Sequence, residues 1–134
     1  MIDQEEQRPP FVAPTILTTP KVRQLYWCDF PKDARLPEFW KRRPVLILSF
    51  KNTRNGLVTV LPCSSKEREN DQWAHKLSVS IDDRNSWAIC NAISSVAVSR
   101  LSCAEGPIKR LSEEEFTLVL EKVFAWLPAR HPKN

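Results

Sequence analysis

Two residues in neighbouring apolar segments carry side chains that could act together on a phosphate group. Arg43 lies near the start of KRRPVLILSF, residues 41–50, and Ser64 lies near the end of LVTVLPCSSK, residues 57–66. A guanidinium presents planar donors that suit two phosphate oxygens at once. A hydroxyl beside it can donate a further hydrogen bond, so the pair could stabilise negative charge that develops on phosphate during a reaction.

The two segments have the pattern of paired β-strands. Each is an apolar run of the length of a buried strand. Asn55-Gly56 between them is a strong signal for a hairpin turn, because both residue types accept a positive φ. If the strands pair antiparallel about that turn, Arg43 and Ser64 lie at the same end of the hairpin. We therefore expect a fixed cation beside a hydroxyl on a rigid sheet.

A long charged loop, PKDARLPEFWKR at residues 31–42, leads into the first of these strands. Loops of about twelve residues without structure of their own are often functional. We interpret this loop as a flap over a ligand, in which Trp40 stacks on a nucleobase while Lys41 and Arg42 lie near phosphate. The alternative is a solvated connection with Trp40 packed on the body of the domain.

The rest of the chain adds short strands, a polar surface loop at 67–72 and one amphipathic helix. Ser112, with Glu115 three residues later, forms a capping box at the start of the helix. Further strands are predicted at residues 23–30, 75–81, 87–93 and 96–101. The apolar stripe of the helix is Phe116, Val119, Leu120, Val123, Phe124 and Leu127. These elements indicate a mainly β (α+β) fold, a small closed barrel of five to seven short strands with a C-terminal α-helix.

Length and composition are those of an ordinary globular domain. The chain has 134 residues, of which 42% are hydrophobic and 27% charged. We predict a flexible N-terminal extension at 1–20, a barrel domain at 21–128 and a C-terminal tail at 129–134. No apolar segment approaches the ~20 residues of a membrane helix, and the N-terminus lacks a signal-peptide pattern, so we expect a cytoplasmic protein with no membrane partner. The net charge of +4 permits an anionic partner without requiring one.

The cysteines do not form a recognisable metal or disulfide pattern. Cys28, Cys63, Cys90 and Cys103 lie far apart, no Cys-x-x-Cys pair occurs, and the chain has two histidines. Three of the four cysteines lie in apolar, strand-like segments, where a thiol usually packs as a small hydrophobic group. We therefore expect no metal, no disulfide framework and no cofactor.

Five motifs follow one another along the chain. They are YWCDF at 26–30, RPVLILS at 43–49, VLPCSSK at 60–66, AVSRLS at 97–102 and IKRLSEEEFTLVLEKVFAWL at 108–127. In this order they resemble the MazF/PemK family of toxin endoribonucleases, over about residues 22–128. The most specific parts are the Arg-Pro that opens the second strand and the hydroxyl pair that closes the third.

The resemblance implies a fold, an activity and partners. The fold is an SH3-like barrel with a C-terminal helix, and the protein is the toxin of a type II toxin–antitoxin system. Such a toxin cleaves single-stranded RNA at specific sequences without a metal, by attack of the RNA 2′-hydroxyl, and so inhibits translation and growth. The implied partners are single-stranded RNA, a cognate antitoxin whose tail lies over the RNA groove, and a second copy of the chain in a homodimer.

Individual roles follow from the same resemblance. The catalytic arginine corresponds to Arg43, the catalytic threonine to Ser64 and the glutamate of the first loop to Glu38. We expect Arg43 to stabilise the charge of the phosphorane and Ser64 to bond to the same phosphate, with Glu38, a water or His75 as general base. The residues predicted to bind RNA are Glu38, Trp40, Lys41, Arg42, Ser65, Lys66 and His75.

Two other functions fit the same barrel. One is a CcdB-type toxin, which resembles this family in fold and acts on gyrase, a role that needs no pairing of Arg43 with Ser64. The other is an inactive relative that binds RNA or an antitoxin without cleaving, which the serine in place of threonine leaves open. Without the family pattern, residues 41–43 are typical of a solvated strand start and the two serines of a strand-end turn.

Overall fold

The computed structural model describes residues 7–130 of the chain. Its regular elements are short antiparallel strands and a C-terminal helix, joined by loops. The strand segments are rich in branched and aromatic residues, which suit a pleated, partly buried surface. The elements are β1 (Leu25–Asp29), β2 (Arg42–Ile47), β3 (Leu57–Ser64), β4 (Ala74–Lys76), β5 (Trp87–Ile89), β6 (Ser94–Ala97), a 3₁₀ turn (Val98–Arg100), β7 (Leu101–Ser102) and α1 (Glu113–Trp126). The predicted fold class, mainly β with five to seven short strands and a C-terminal helix, is confirmed.

The sheet closes through the strands at its two edges. β2 pairs antiparallel with β1 on one side and with β3 on the other. β6 pairs with β3, β7 pairs with β1, and one 3₁₀ turn joins β6 to β7, dividing the strand predicted at 96–101. The chain thus links both edges of the three-stranded meander, as in a small SH3-like barrel. β5 and β4 extend the sheet from the C-terminal end of β3.

Alternation along the strands divides the core into two layers. Val45 and Ile47 of β2 face the barrel interior, where they are fully buried with Tyr26 and Val60. Leu46 between them belongs to a second cluster, which includes the helix. Because successive side chains of a strand point to opposite faces, one face of β2 fills the barrel and the other supports α1.

The helix begins as predicted at a serine cap. Ser112 Oγ accepts a 3.1 Å hydrogen bond from the Glu115 backbone N–H. Phe116, Val119 and Val123 of the predicted stripe are buried against the sheet. Within residues 7–130, no helix has the length and apolar character needed to cross a membrane.

Two details of the predicted helix are wrong. Phe124 and Leu127 of the stripe are exposed, because the helix passes the edge strand β4 at Lys122, whose Nζ donates a 2.7 Å bond to a β4 carbonyl. The Glu115 carboxylate does not complete the capping box, since it accepts hydrogen bonds from the backbone and side chain of Ser78. The chain turns toward the helix at this point, so the strand predicted at 75–81 ends at residue 76.

The connection between β2 and β3 differs from the predicted two-residue turn. The strands pair antiparallel as expected, but residues 48–56 join them, and neither Asn55 nor Gly56 has the positive φ of that turn. Asn52 organises the longer loop, because its side-chain amide donates to the carbonyls of Ser49 and Pro20. Gly56 instead allows the backbone to lie close to a neighbouring threonine, because a Cβ at this position would be 2.5 Å from the threonine hydroxyl.

The N-terminal extension is packed on the barrel in its last few residues. Residues 1–6 of the predicted flexible segment at 1–20 lie outside the described part of the chain, as do residues 131–134 of the predicted tail. Ile16 is 3% exposed and belongs to the barrel-interior cluster. Its carbonyl accepts a 3.1 Å bond from Arg54, and the neighbouring Thr15 hydroxyl donates to the Leu101 carbonyl. An apolar side chain of the extension thus fills space in the barrel, and the division at residues 1–20, 21–128 and 129–134 stays a prediction.

Candidate active site

Arg43 and Ser64 lie on one face of the sheet, at the end of β2 and β3 remote from their connection. Val45 pairs with Pro62, and the same register continued by two residues along each strand reaches Arg43 and Ser64. Directly opposite residues of an antiparallel pair share a face, so both side chains lie on the face of Val45. On the other edge of β3, Ser64 pairs with Trp87 of β5.

The Arg43 guanidinium is held by two residues of the preceding loop. Its Cζ lies 4.8 Å from the centre of the Phe39 ring, a cation–π contact, and its Nε donates a 3.0 Å hydrogen bond to the Trp40 carbonyl. Burial, and then repulsion from Arg68, lower the pKa of Arg43, yet a guanidinium stays charged in proteins. Within residues 7–130 its two terminal nitrogens have no hydrogen-bond partner, so they are available to an anion.

The loop before β2 is closed at its base and folded against the sheet. The Phe30 N–H donates a 3.2 Å bond to the Lys41 carbonyl, which joins the two ends of the loop. Inside the loop, the Glu38 carboxylate accepts a 2.6 Å bond from the Arg35 backbone N–H. Phe39 packs against the buried residues of β4 and β5. This packing fixes the ring on which the guanidinium lies.

Ser64 is 4% exposed, so its hydroxyl lies beneath the surface of the site. Its Oγ accepts a 3.2 Å hydrogen bond from the Lys66 backbone N–H, which holds the turn after β3. That bond uses a lone pair, and in the described part of the chain the Ser64 hydroxyl donates to no acceptor. The hydroxyl proton is therefore free to bond to a phosphate oxygen that reaches it.

A hollow of about 860 Å³ is bordered by Phe39, the residue whose ring contacts the Arg43 guanidinium. Its walls include Asp33, Glu38 and Phe39 of the first loop, Arg68 and Asp71 of the loop after β3, and residues 91–96. Phe39 links the hollow to Arg43, because the guanidinium lies on that ring. The Phe39 ring offers a surface on which a base of a single-stranded nucleic acid can stack.

A second hollow, of about 280 Å³, carries more positive charge. Lys41, Arg42 and Ser65 line it, and Arg43 borders it as well. The Arg42 guanidinium lies 4.5 Å from the centre of the Trp27 ring. Arg43 therefore borders this cationic hollow and, through its contact with Phe39, is linked to the larger one.

Comparison with known proteins identifies the family of the chain. A family model described as a PemK-like, MazF-like toxin of type II toxin-antitoxin system matches residues 21–127. The chain belongs to this family. The resemblance indicated by the motifs is thus confirmed, and the family is that of the MazF-like toxins of type II toxin–antitoxin systems. No curated protein matches it.

Solved structures share the MazF-like fold. MazF from Deinococcus radiodurans aligns with a TM-score of 0.63 and 20% identity, over 82% of this chain and 97% of that one. An endoribonuclease in complex with its cognate antitoxin from a mycobacterial species aligns with a TM-score of 0.61 and 17% identity, over 84% and 99%. The Mycobacterium tuberculosis toxin MazF-mt6 aligns with a TM-score of 0.58 and 20% identity, over 78% and 95%. At these identities the comparison establishes the fold.

In this MazF-like barrel, most of the predicted site residues gather around Arg43. Trp40 is partly exposed, and the Lys41 Nζ lies 5.3 Å from the centre of its ring. Ser65 and Lys66 are exposed in the turn after β3. The loop before β2 and the turn after β3 thus surround Arg43 with groups that can stack on bases or attract phosphate.

His75 is the predicted site residue that the structure places elsewhere. Its partner on β5 is Ala88, which faces the helix, whereas the adjacent Trp87 faces the site. His75 Nε2 lies 2.9 Å from Glu115 Oε2, and both side chains are mostly buried. Burial raises the pKa of Glu115, but hydrogen bonds from Ser78 and His75 outweigh it, so the pKa is lowered overall. His75 therefore joins the sheet to the helix.

Two site residues, Phe39 and Arg68, are missed by reasoning from the sequence. Phe39 stands in a charged loop, where its type alone does not distinguish a packed ring from an exposed one such as Phe50. Arg68 belongs to the polar segment 67–72, which the sequence identifies only as a surface loop. No periodic pattern indicates that this loop returns to the side of Arg43.

Proposed function

We propose that this MazF-like toxin is a sequence-specific, metal-independent endoribonuclease that cleaves single-stranded RNA and thereby inhibits translation and growth. The observation that carries the proposal is the Arg43 guanidinium, which is held by Phe39 and the Trp40 carbonyl with its terminal nitrogens free. A fixed guanidinium beside an open hollow supplies preorganised positive charge where a phosphate would react. Ser64 on the same face supplies a hydroxyl proton.

Cleavage proceeds by attack of the RNA 2′-hydroxyl on the adjacent phosphorus. The 2′-oxygen bonds to phosphorus as its proton passes to a base, and the bond to the 5′-oxygen breaks as that oxygen takes up a proton. The products are a 2′,3′-cyclic phosphate and a 5′-hydroxyl. Arg43 stabilises the charge on the phosphorane by roughly 3–4 kcal/mol, as single oxyanion donors do, and Ser64 donates a hydrogen bond to one of its oxygens.

The general base is Glu38 or a bound water. Glu38 borders the hollow beside Arg43, but one of its oxygens accepts the 2.6 Å bond from the Arg35 backbone. It therefore acts through its other oxygen or through a water bound to it. His75 has a structural role in this proposal, because its ring is engaged with Glu115 on the helix side.

The same proposal assigns the partners and the place of action. Single-stranded RNA stacks a base on Trp40 and places its backbone near Lys41, Arg42 and Lys66, which combine an aromatic surface with positive charge. A cognate antitoxin neutralises the toxin, a second copy completes a homodimer, and the protein acts in the cytoplasm. Family membership supports these partners, and the mycobacterial relative was solved with its cognate antitoxin.

Incubation of the purified chain with a long RNA in EDTA tests the activity. The wild type is expected to give discrete fragments that end in a 2′,3′-cyclic phosphate, and Arg43→Ala is expected to cleave about 10²–10³-fold more slowly. Arg130→Ala is the matched control, because it removes the same charge from an exposed position after the helix. The absence of Arg43-dependent fragments would overturn the proposal.

The same purified chain separates the two other functions. RNA binding without any fragments indicates an inactive relative that retains the barrel as a binding module. Inhibition of gyrase without RNA cleavage indicates a toxin of the CcdB type. Each outcome replaces the nuclease proposal.

A further inference from the structure

A second guanidinium, that of Arg68, lies at the site and is not used by the mechanism above. Arg68 belongs to the loop between β3 and β4 and borders the 860 Å³ hollow together with Phe39. Phe39 in turn carries the Arg43 guanidinium. Phe39 thus borders the same hollow as Arg68 and also contacts the Arg43 guanidinium.

Hydrogen bonds hold the backbone of Arg68 in place. The Asp71 N–H donates a 3.0 Å bond to the Arg68 carbonyl, and the Asp71 side chain accepts a 2.9 Å bond from the Trp73 N–H. At the start of the same loop, the Ser64 hydroxyl accepts from the Lys66 N–H. Arg68 is therefore presented by a shaped turn at the edge of the hollow.

The side chain of Arg68 has unused hydrogen-bonding capacity. Its Nη1 lies 3.6 Å from Asp71 Oδ2, a single ion-pair contact. Its Nε is shielded from solvent and has no hydrogen-bond partner within residues 7–130. A buried donor without a partner is costly, so such a group in a folded protein calls for an explanation. A side chain that changes conformation when a ligand binds, and so brings this donor to an acceptor, is one.

The two arginines differ in their opposite charges, because Arg68 has an ion-pair partner in Asp71 and Arg43 has none among the described residues. Within the described residues no carboxylate forms an ion pair with Arg43, and Arg68 acts on it as a like charge. Partly buried like charges disfavour one another unless an opposite charge lies nearby. An anion near Arg43 and Arg68 removes this repulsion and gives both guanidiniums acceptors.

We propose that Arg68 is a second phosphate-binding residue, which with Arg43 forms a two-guanidinium site for the backbone of single-stranded RNA. The inference rests on the proposed function, because it takes RNA as the ligand that reaches Arg43. The planar guanidinium of arginine can donate two directed hydrogen bonds to phosphate oxygens, whereas the ammonium of lysine acts as a point charge. Arg68 holds the backbone, while Arg43 stabilises the charge of the reacting phosphate.

The test uses RNA that binds but is not cleaved. A mixed-sequence 2′-O-methyl RNA oligonucleotide lacks the attacking hydroxyl, so its affinity can be measured over a range of salt concentrations. For a single strand, each phosphate that the protein no longer neutralises lowers the slope of log K against log salt by about 0.7. We expect Arg68→Gln to weaken binding about tenfold at low salt with this reduction of slope, and Arg68→Lys to keep most of the slope.

Asp71→Asn is the matched control for a merely structural role of Arg68. It breaks the same ion pair and can keep the bond to the Trp73 N–H, yet it leaves the charge of Arg68 in place. We expect Asp71→Asn to bind the oligonucleotide at least as tightly as the wild type. Equal weakening by Arg68→Gln and Asp71→Asn, or an unchanged slope in Arg68→Gln, would overturn the inference.

Failure of this inference can be told from failure of the proposed function. If the wild type cleaves no RNA, the nuclease proposal falls, while the slope measured on uncleavable RNA still decides the role of Arg68. If the wild type cleaves and Arg68→Gln keeps the wild-type slope, the nuclease proposal stands and the role of Arg68 falls. Thermal unfolding of each variant excludes loss of folding, and Arg68→Lys decides the result if Arg68→Gln is unstable.

Discussion

The Arg43 guanidinium lies 4.8 Å from the ring centre of Phe39, while its Nε is bonded to the carbonyl of the next residue, Trp40. Two consecutive loop residues therefore hold the guanidinium by its face and by one edge. The edge formed by the terminal nitrogens is left for a ligand. Because the loop supplies both contacts, the direction of the guanidinium depends on the conformation of that loop.

Removal of the Phe39 ring is expected to slow RNA cleavage. Phe39→Ala takes away the surface under Arg43, and a partly desolvated cation–π contact is worth about 1–2 kcal/mol, which corresponds to roughly a tenfold loss of rate. Phe39→Tyr keeps the ring and is expected to keep most of the rate. Single-turnover cleavage at several RNA concentrations separates this effect from an effect on binding.

Trp40→Ala is the control for that variant. The Trp40 side chain is partly exposed, and the bond to Arg43 uses its backbone carbonyl, which the variant retains. We expect weaker RNA binding from the loss of base stacking, with a rate at saturating RNA close to that of the wild type. A loss of saturated rate in Trp40→Ala as large as in Phe39→Ala would contradict the assignment of the two side chains.

The two serines after β3 are expected to differ in their effect on cleavage. Ser64 lies on the Arg43 face with a free hydroxyl proton, whereas Ser65 is exposed in the turn after β3. Loss of a hydrogen bond to a charged group costs about 1.5–3 kcal/mol, so Ser64→Ala is expected to cleave at least tenfold more slowly. Ser65→Ala, the matched control, is expected to stay within about threefold of the wild-type rate. Initial rates of cleavage of one RNA substrate by the two variants test this prediction. Equal losses of rate in Ser64→Ala and Ser65→Ala would contradict the role of Ser64.

Features that depend on local pattern could be predicted from the sequence. The start of α1 is set by Ser112, three residues from the N–H that it caps. The apolar runs of β2 and β3 indicated neighbouring antiparallel strands. That pairing, in the register that sets Val45 opposite Pro62, places Arg43 and Ser64 on one face.

Features that depend on contacts distant along the chain could not be predicted. The structure has a longer loop in place of the tight turn predicted at Asn55-Gly56. In this loop the Asn52 side chain donates a hydrogen bond to the carbonyl of Pro20, which lies 32 residues earlier. His75 meets Glu115, which lies 40 residues later. Arg68 lies near Arg43 only because the loop after β3 returns to the same end of the barrel. Each contact needs the folded barrel to bring its partners together.

The N-terminal extension is expected to stabilise the barrel through one side chain. Ile16 is 3% exposed in the barrel-interior cluster, whereas the next residue, Leu17, is 86% exposed. Ile16→Ala removes buried methyl groups and is expected to lower the free energy of unfolding by roughly 2–5 kcal/mol. Leu17→Ala deletes an apolar side chain of the same size and is expected to change it by less than about 0.5 kcal/mol. Urea unfolding measures both, and equal effects would show that Ile16 does not fill the barrel.

The contact of Glu115 with Ser78 and His75 is expected to make the stability of the protein depend on pH in the acid range. Because the pKa of Glu115 is lowered in the folded state from its ordinary value of 4.5, the unfolded chain binds its proton more readily. The stabilisation is therefore fully present above that ordinary value and is lost as the pH falls through the lower folded value. At neutral pH, Glu115→Gln is expected to lower the free energy of unfolding by about 1–3 kcal/mol.

The difference between the wild type and Glu115→Gln should shrink as the pH falls, since protonation of the wild-type carboxyl group imitates the substitution. Glu121→Gln removes the same charge from an exposed position on the same helix, and is expected to behave like the wild type at every pH. Thermal unfolding of the three proteins between neutral and acid pH measures the effect. A constant difference across that range would mean that packing of the side chain, and not its charge, holds the helix to β4.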